Sequence, residues 1–235
     1  MNNTFRIDDQ FWALFPQAKI GIVTAFGIDN RAKETVDYMP LLVHGMNEAK
    51  IYLEEETFID NPVVTVWRDA YRQFKTKKGA RSSIEAMLKR VSNGKGIGVI
   101  NPLVDIYNLI SLKYALPCGG EDIDRFIGPV RLTLAEGNEE FITLGSDKSE
   151  PPNVGEVVYK DDGGAICRCW NWRESVRTML TNETKNAFLC LELIQADRVY
   201  EFSQGLLELK LLVEAYLGGQ ARIQVLDINN KEIEF

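Results

Sequence analysis

The chain has 235 residues, of which 45% are hydrophobic and 26% charged, enough apolar material for a full core and too much for a mainly disordered chain. Its 27 basic residues against 34 acidic ones leave a net charge of −7, which excludes a surface coated in positive charge for indiscriminate nucleic-acid binding. The charge is nevertheless uneven: residues 68–95 hold nine basic side chains against only Asp69 and Glu85, so that segment is +7 and the rest of the chain −14. This asymmetry fits either a local polyanion-binding face on an acidic body or a solvated helical surface.

In chain order, Met1 leads straight into polar and charged residues without an apolar leader, so a cytoplasmic location is expected. Residues 19–28 read as a strand, 32–56 as helical down to the acidic run Glu54-Glu55-Glu56, and 62–75 as a helix with Pro62 in its first turn. A basic loop follows over 75–79, then Ser82 and Glu85 fit a capping box that opens a helix stopping near Gly94. Asn101-Pro102 starts the next helix, with an apolar stripe of Leu103, Ile106, Tyr107, Ile110 and Tyr114 beside a polar one of Asp105, Asn108 and Ser111. It ends before Pro117, and Gly119-Gly120 reads as a turn.

Short strands come next. Residues 130–135 and 140–144 form an expected hairpin, 157–159 and 165–172 two strands around a turn, and 187–194 a strongly apolar strand. A helix over 198–217 precedes a closing hairpin of 221–228 with 232–235. The order predicts one α+β domain over 1–235, its helix-rich N-terminal part packed on a mixed or antiparallel sheet.

Several chemistries have no support. The longest weakly charged stretch, 96–112, contains Asn101-Pro102, Asp105 and Asn108, which lipid would reject, so no membrane partner is expected. There is no CxxC pair, His44 is the sole histidine and reads as structural or superficial, and the glycines of 94–98 lack phosphate-loop spacing. No metal site and no cofactor is expected.

Three places depart from plain core or surface. Glu192 interrupts an apolar strand on the face of Phe188, Cys190 and Ile194; it either pairs with an arginine such as Arg168 or Arg173, lies at an exposed edge, or faces a cavity. Over 165–173, alternation places Arg168, Trp170 and Trp172 on one face and Cys167, Cys169, Asn171 and Arg173 on the other. The tryptophans read either as stacking platforms for a base or aromatic amino acid, or as aromatic core. The stripe Asp105-Asn108-Ser111 is a buried hydrogen-bond network or part of a site.

Taken in order, the segments from Asn101-Pro102-Leu103-Val104-Asp105-Ile106-Tyr107-Asn108-Leu109 through Leu116-Pro117, Ala135-Glu136-Gly137, Phe141, Val157-Tyr159-Asp161 and Thr181-Glu183-Thr184 to Leu191-Glu192 resemble the tRNA-editing (B3/B4) domain of the phenylalanyl-tRNA synthetase β-subunit, over about residues 80–195. The chain is too short for the synthetase's catalytic core or anticodon-binding part, and so resembles a freestanding relative. The resemblance implies an aminoacyl-tRNA deacylase that hydrolyses a wrong amino acid, typically tyrosine, from tRNA without metal or covalent intermediate. It places the pocket glutamate that reads a phenolic hydroxyl on Glu192 and an asparagine of the opening motif on Asn108. Departures are Tyr107 where the family has a threonine, a position near Gly119 where it has a histidine, and Cys169-Trp170-Asn171-Trp172-Arg173 in place of a small, glycine-rich wall. Two tryptophans there imply a reshaped pocket.

The expected substrate pocket is therefore Glu192, Asn108, Tyr107, Trp170, Asn171, Trp172 and Arg173, supported by Asp105, with no catalytic residue assigned. Arg72, Lys75, Lys77, Lys78 and Arg81 are the expected phosphate contacts for tRNA or another RNA, with Arg81, Ser82 and Ser83 before a helix N-terminus as a further anion contact. The alternatives are a non-catalytic module binding RNA or an amino-acid-like ligand, and a small-metabolite hydrolase.

Overall fold

The computed structural model describes residues 3–33 and 35–235. Strand β1 (Thr4–Ile7), helix α1 (Asp9–Leu14) and strand β2 (Lys19–Phe26) precede a helical block of α2 (Met39–Glu48), α3 (Pro62–Tyr71), α4 (Ser83–Ser92) and α5 (Pro102–Tyr114). Then come strands β3 (Cys118–Asp122), β4 (Val130–Leu134), β5 (Val157–Asp161), β6 (Gly164–Arg168), β7 (Arg173–Glu174) and β8 (Asn186–Leu193). Helix α6 (Val199–Leu217) and strands β9 (Gln220–Leu226) and β10 (Glu232–Glu234) close the chain. The expected α+β class holds, with two sheets in place of one: a mixed sheet in the order β10-β1-β4-β5-β6-β7 and an antiparallel sheet in the order β3-β8-β2-β9.

The helix starts follow local chemistry. The Ser82 hydroxyl accepts from the Glu85 backbone N–H (3.3 Å) and the Asn101 side chain from that of Val104 (3.1 Å). The reciprocal half of the Ser82 capping box is absent, because the Glu85 carboxylate is taken by Arg68 at 2.7 Å. The helix expected over 32–56 is confined to Met39–Glu48 plus one 3-10 turn, since Pro40 is tolerated only in a first turn and sets the start; residue 34 lies outside the described residues.

The apolar run of β8 has a simple cause: both its faces are covered. Ala187, Leu189, Leu191 and Leu193 pack with Phe202, Leu206, Leu209 and Val213 of α6. Phe188 and Cys190 face the mixed sheet, where Phe188 meets Phe5 edge-on at 5.2 Å between centroids. Gly21 on β2 lets α6 approach, because a Cβ there would lie 2.5 Å from Leu206 Cδ1.

Four expectations are corrected. Residues 140–144 are not the partner of β4, which pairs with β5; the carbonyls of Glu140 and Ile142 accept instead from Ala165 and Val176. Gly119-Gly120 lies within β3 rather than a turn. The closing hairpin splits: β9 pairs with β2 and β10 with β1, so the turn at Asp227–Asn230 carries the chain from one sheet to the other. Finally, the strand expected over 165–172 ends at Arg168, because Cys169 and Trp170 both take left-handed backbone angles (φ 46° and 64°).

Arg168 points inward, 3% exposed, and binds the fully buried Glu156 carboxylate at 2.7 and 3.1 Å and the Glu150 carbonyl at 2.8 Å. Replacing Arg168 by Met strands a buried carboxylate, so urea unfolding at neutral pH should register a loss of about 3–5 kcal/mol. A loss near zero would show that Glu156 finds another partner.

Candidate functional site

A cavity of about 680 Å³ opens between α4, α5, β3, β8 and the turn after β6. All seven side chains expected to form the pocket line it: Tyr107 and Asn108 from α5, Trp170 to Arg173 from the turn and β7, and Glu192 from β8. Sequence distance hides this grouping, and it depends on the pairing of β8 with β3 and on the left-handed pair after β6.

Glu192 sits at its centre of interactions. It is 2% exposed and, among the described residues, bound only by neutral donors: Tyr159 Oη at 2.5 Å, Trp170 Nε1 at 2.9 Å and the Cys190 thiol at 3.8 Å to Oε1, and Asn171 Nδ2 to Oε2. The arginine partners weighed from sequence are elsewhere, Arg168 on Glu156 and Arg173 stacked on Trp172 at 4.8 Å. Burial pushes the Glu192 carboxyl up to about 7, with the hydrogen bonds from Tyr159, Asn171 and Trp170 opposing the shift. The orientation of Asn171 is dictated by its other contacts, since its Oδ1 accepts from Tyr71 Oη (3.0 Å) and from the Ser83 backbone N–H (3.1 Å), leaving the amide nitrogen to face Glu192.

The tryptophans divide. Trp170 is fully buried against Phe11, Phe15 and Trp67, with centroids 4.6–5.0 Å away, so it is core rather than a stacking platform and touches the site through its indole N–H. The two left-handed residues aim it inward; each costs about 1–2 kcal/mol, offset by the bonds Trp170 N–H to Val157 O (2.6 Å) and Tyr71 Oη to Cys169 O (2.7 Å). Trp172 stays half-buried at the cavity wall.

The polar stripe of α5 divides too. Asp105 accepts from the Ile100 N–H (2.9 Å) and Ser111 donates to the Leu116 carbonyl (2.6 Å), both within structure, while Asn108 faces the cavity. Three thiols, Cys118, Cys167 and Cys190, line the cavity, all free and all pushed up by burial, so they are protonated at neutral pH. Among the described residues no group of three His, Cys, Asp or Glu side chains is placed to hold a metal, and no helix is long and apolar enough to cross a membrane. His44 is exposed on α2.

On the basic segment, Arg72 is paired with Asp69 (2.6 Å) and Lys77 with Glu150. Lys75, Lys78 and Arg81 are exposed and have no ion-pair partner among the described residues. The first turn of α4 is already partly occupied by Asn171 Oδ1 and the Ser82 cap, which corrects the expectation of an open anion seat at Ser82 and Ser83. At the cavity itself, Arg90 and Arg173 supply positive charge.

Comparison with known proteins defines the class. The B3/4 domain family matches residues 66–207, and the chain belongs to that family. Phenylalanine–tRNA ligase β-subunits are similar to it: that of Fusobacterium nucleatum is 28% identical over 143 residues, 61% of this chain and 17% of the relative, and that of Mycoplasma genitalium 35% identical over 89 residues, 38% of this chain and 11% of the relative. The chain thus spans under a fifth of the length of these relatives. In fold it resembles the crystal structure of an N-terminal fragment of the phenylalanyl-tRNA synthetase β-subunit from Pyrococcus horikoshii, with a TM-score of 0.51 and 14% identity over the whole of this chain and 54% of that one.

Sequence reasoning missed Tyr159, Glu121 and Glu174, which also line the cavity. Glu121 was hidden by the glycine pair before it, which reads as a turn; Tyr159 stands in the motif succession, but nothing there marks it for the pocket, and Glu174 carries no local signal.

The Glu192 shift has a measurable sign. The folded state holds this proton more tightly than the unfolded chain, whose carboxyl titrates near 4.5. Its contribution to stability is therefore complete below about pH 4.5 and is lost as pH rises through about 7, by roughly 3 kcal/mol. In Glu192→Gln this loss should vanish, so the stability gap between variant and parent shifts toward the variant between pH 4.5 and 8. A gap constant with pH in paired urea titrations would show that Glu192 is ionised throughout.

Proposed function

We propose that this B3/4 domain binds the aminoacylated 3′ end of a tRNA and hydrolyses a wrongly attached amino acid in trans, as an aminoacyl-tRNA deacylase. The observation that carries this reading is the convergence of the seven pocket side chains on one cavity of about 680 Å³, a size suited to a small organic group such as an aminoacyl moiety. Glu192, with four neutral donors holding it, is a rigid acceptor rather than a mobile base, and orients what enters through Tyr159 and Asn171. Asn108 and Tyr107 present an amide and a phenol from α5 to the same space. The protonated thiols argue against a covalent thioester route, which leaves direct attack of a water on the ester. Lys75, Lys78 and Arg81, with Arg90 and Arg173 at the cavity, supply phosphate contacts.

A second reading is a module that binds an aminoacyl or RNA group without turnover. The saturation of Glu192 by the protein's own donors favours it, since that carboxylate is not itself free to act as a general base.

Incubation with a panel of mischarged tRNAs should release amino acid from at least one, and Glu192→Ala should slow that release at least tenfold. Loss of ester from none of them, with binding retained, would select the second reading. For the RNA face, changing Lys75, Lys78 and Arg81 together to Ala should flatten the log–log salt dependence of tRNA binding by about 2; an unchanged slope refutes that face.

A further inference from the structure

Glu192 is not the cavity's available carboxylate. Its oxygens are met by Tyr159, Trp170, Asn171 and the Cys190 thiol, whereas among the described residues Glu121 Oε2 on the cavity wall has no hydrogen-bond partner and Glu174 is exposed there without an ion-pair partner. Glu121, on β3, is 9% exposed, and its Oε2 is buried without a hydrogen-bond partner. An unsatisfied buried carboxylate oxygen is expensive, costing about 1–3 kcal/mol or more, and is rare enough to call for an occupant. Glu174, on the edge strand β7, lines the same space and lies close enough to repel Glu121 electrostatically.

Among the described residues no cation is ion-paired with Glu121 or Glu174. Arg177, the cation nearest Glu121, gives both terminal nitrogens to Asp161 (3.0 and 2.6 Å) and one of them also to the Arg125 carbonyl (3.1 Å). Arg173 stacks on Trp172. The Thr178 hydroxyl, buried with no other partner, is a neutral donor close to Glu121 and carries no charge to offset it. Burial, then repulsion from Glu174, holds the Glu121 carboxyl well above the ordinary range, and burial raises that of Glu174. A buried acid in a mostly apolar wall, with a second, exposed acid at its edge and Phe188 and Tyr107 nearby, matches a positive group on an apolar body.

We infer that Glu121 and Glu174 form a seat for a protonated primary amine, so that the ligand of this cavity is an amino acid or aminoacyl ester held by its ammonium group. The inference rests on the aminoacyl reading above for the choice of ester and adds which residues select it. The ammonium donates to the Glu121 and Glu174 carboxylates, and its apolar body lies against Phe188 and Tyr107. The amine can be the α-ammonium or a side-chain ammonium; the chemistry of the seat is the same.

Calorimetric titration of the full chain at pH 7 distinguishes these. Phenylalanine methyl ester carries only the α-ammonium, Nα-acetyl-lysine methyl ester only a side-chain ammonium, and N-acetylphenylalanine methyl ester neither. One or both charged esters should bind at least tenfold more tightly than the neutral one, and the charged ester that wins identifies the amine. Glu174→Gln, at an exposed edge strand, and Glu121→Gln should each cut that preference to threefold or less while leaving the neutral ester's affinity unchanged. Equal affinity for all three esters, no binding of any, or a preference untouched by either variant would overturn the seat. Amine preference without deacylation defeats only the catalytic reading, and deacylation without amine preference defeats only this one.

Discussion

Much of this molecule hangs on the way a single buried carboxylate is satisfied. Glu192 projects from the central strand β8 into the space between two sheets, where an unpaired charge would be costly. Besides the Cys190 thiol beside it on β8, three neutral donors from distant parts of the chain solve this: a tyrosine from β5 in the other sheet, and a tryptophan and an asparagine from the turn after β6. To bring those two donors in, the backbone accepts consecutive left-handed residues, and α3 braces them through Tyr71 on the Cys169 carbonyl and the Asn171 side chain. The network therefore ties both sheets and the helical block to one point, and strain stored beside a cavity is where function is commonly found.

Because Glu192 is spoken for, the cavity's chemistry shifts to its neighbours. Its lining carries acids on β3 and β7 and arginines from α4 and β7, over an otherwise apolar surface. Such a division suits a ligand with an anionic and a cationic end. The same separation repeats at larger scale, with the basic segment on an acidic chain, although Arg68, Arg72 and Lys77 spend their charge internally. What remains exposed is a smaller patch than the raw count suggests.

Local rules read well where the cause is local. Asn101-Pro102 and Ser82 open helices because a side-chain oxygen and a proline act on the adjacent turn alone. The apolar run of β8 and the lone glutamate in it were visible for the same reason. The strand continued to 172 failed because alternation carries no information about a backbone that reverses to bury Trp170 among Phe11, Phe15 and Trp67. The closing hairpin failed because its two arms obey the right pattern but find different sheets.

The amino-acid order by itself determined the α+β class, the capped helices, the family and the odd carboxylate, since each rests on neighbouring residues or on motif succession. Only the tertiary structure decided which side chains share the cavity, that Glu192 is held by neutral donors rather than arginine, and that Glu121 and Glu174 have no ion-pair partner among the described residues. Those facts depend on strand pairing across as much as seventy residues, between Gly119-Gly120-Glu121 and Phe188 to Cys190, and on competition among donors that no single segment contains.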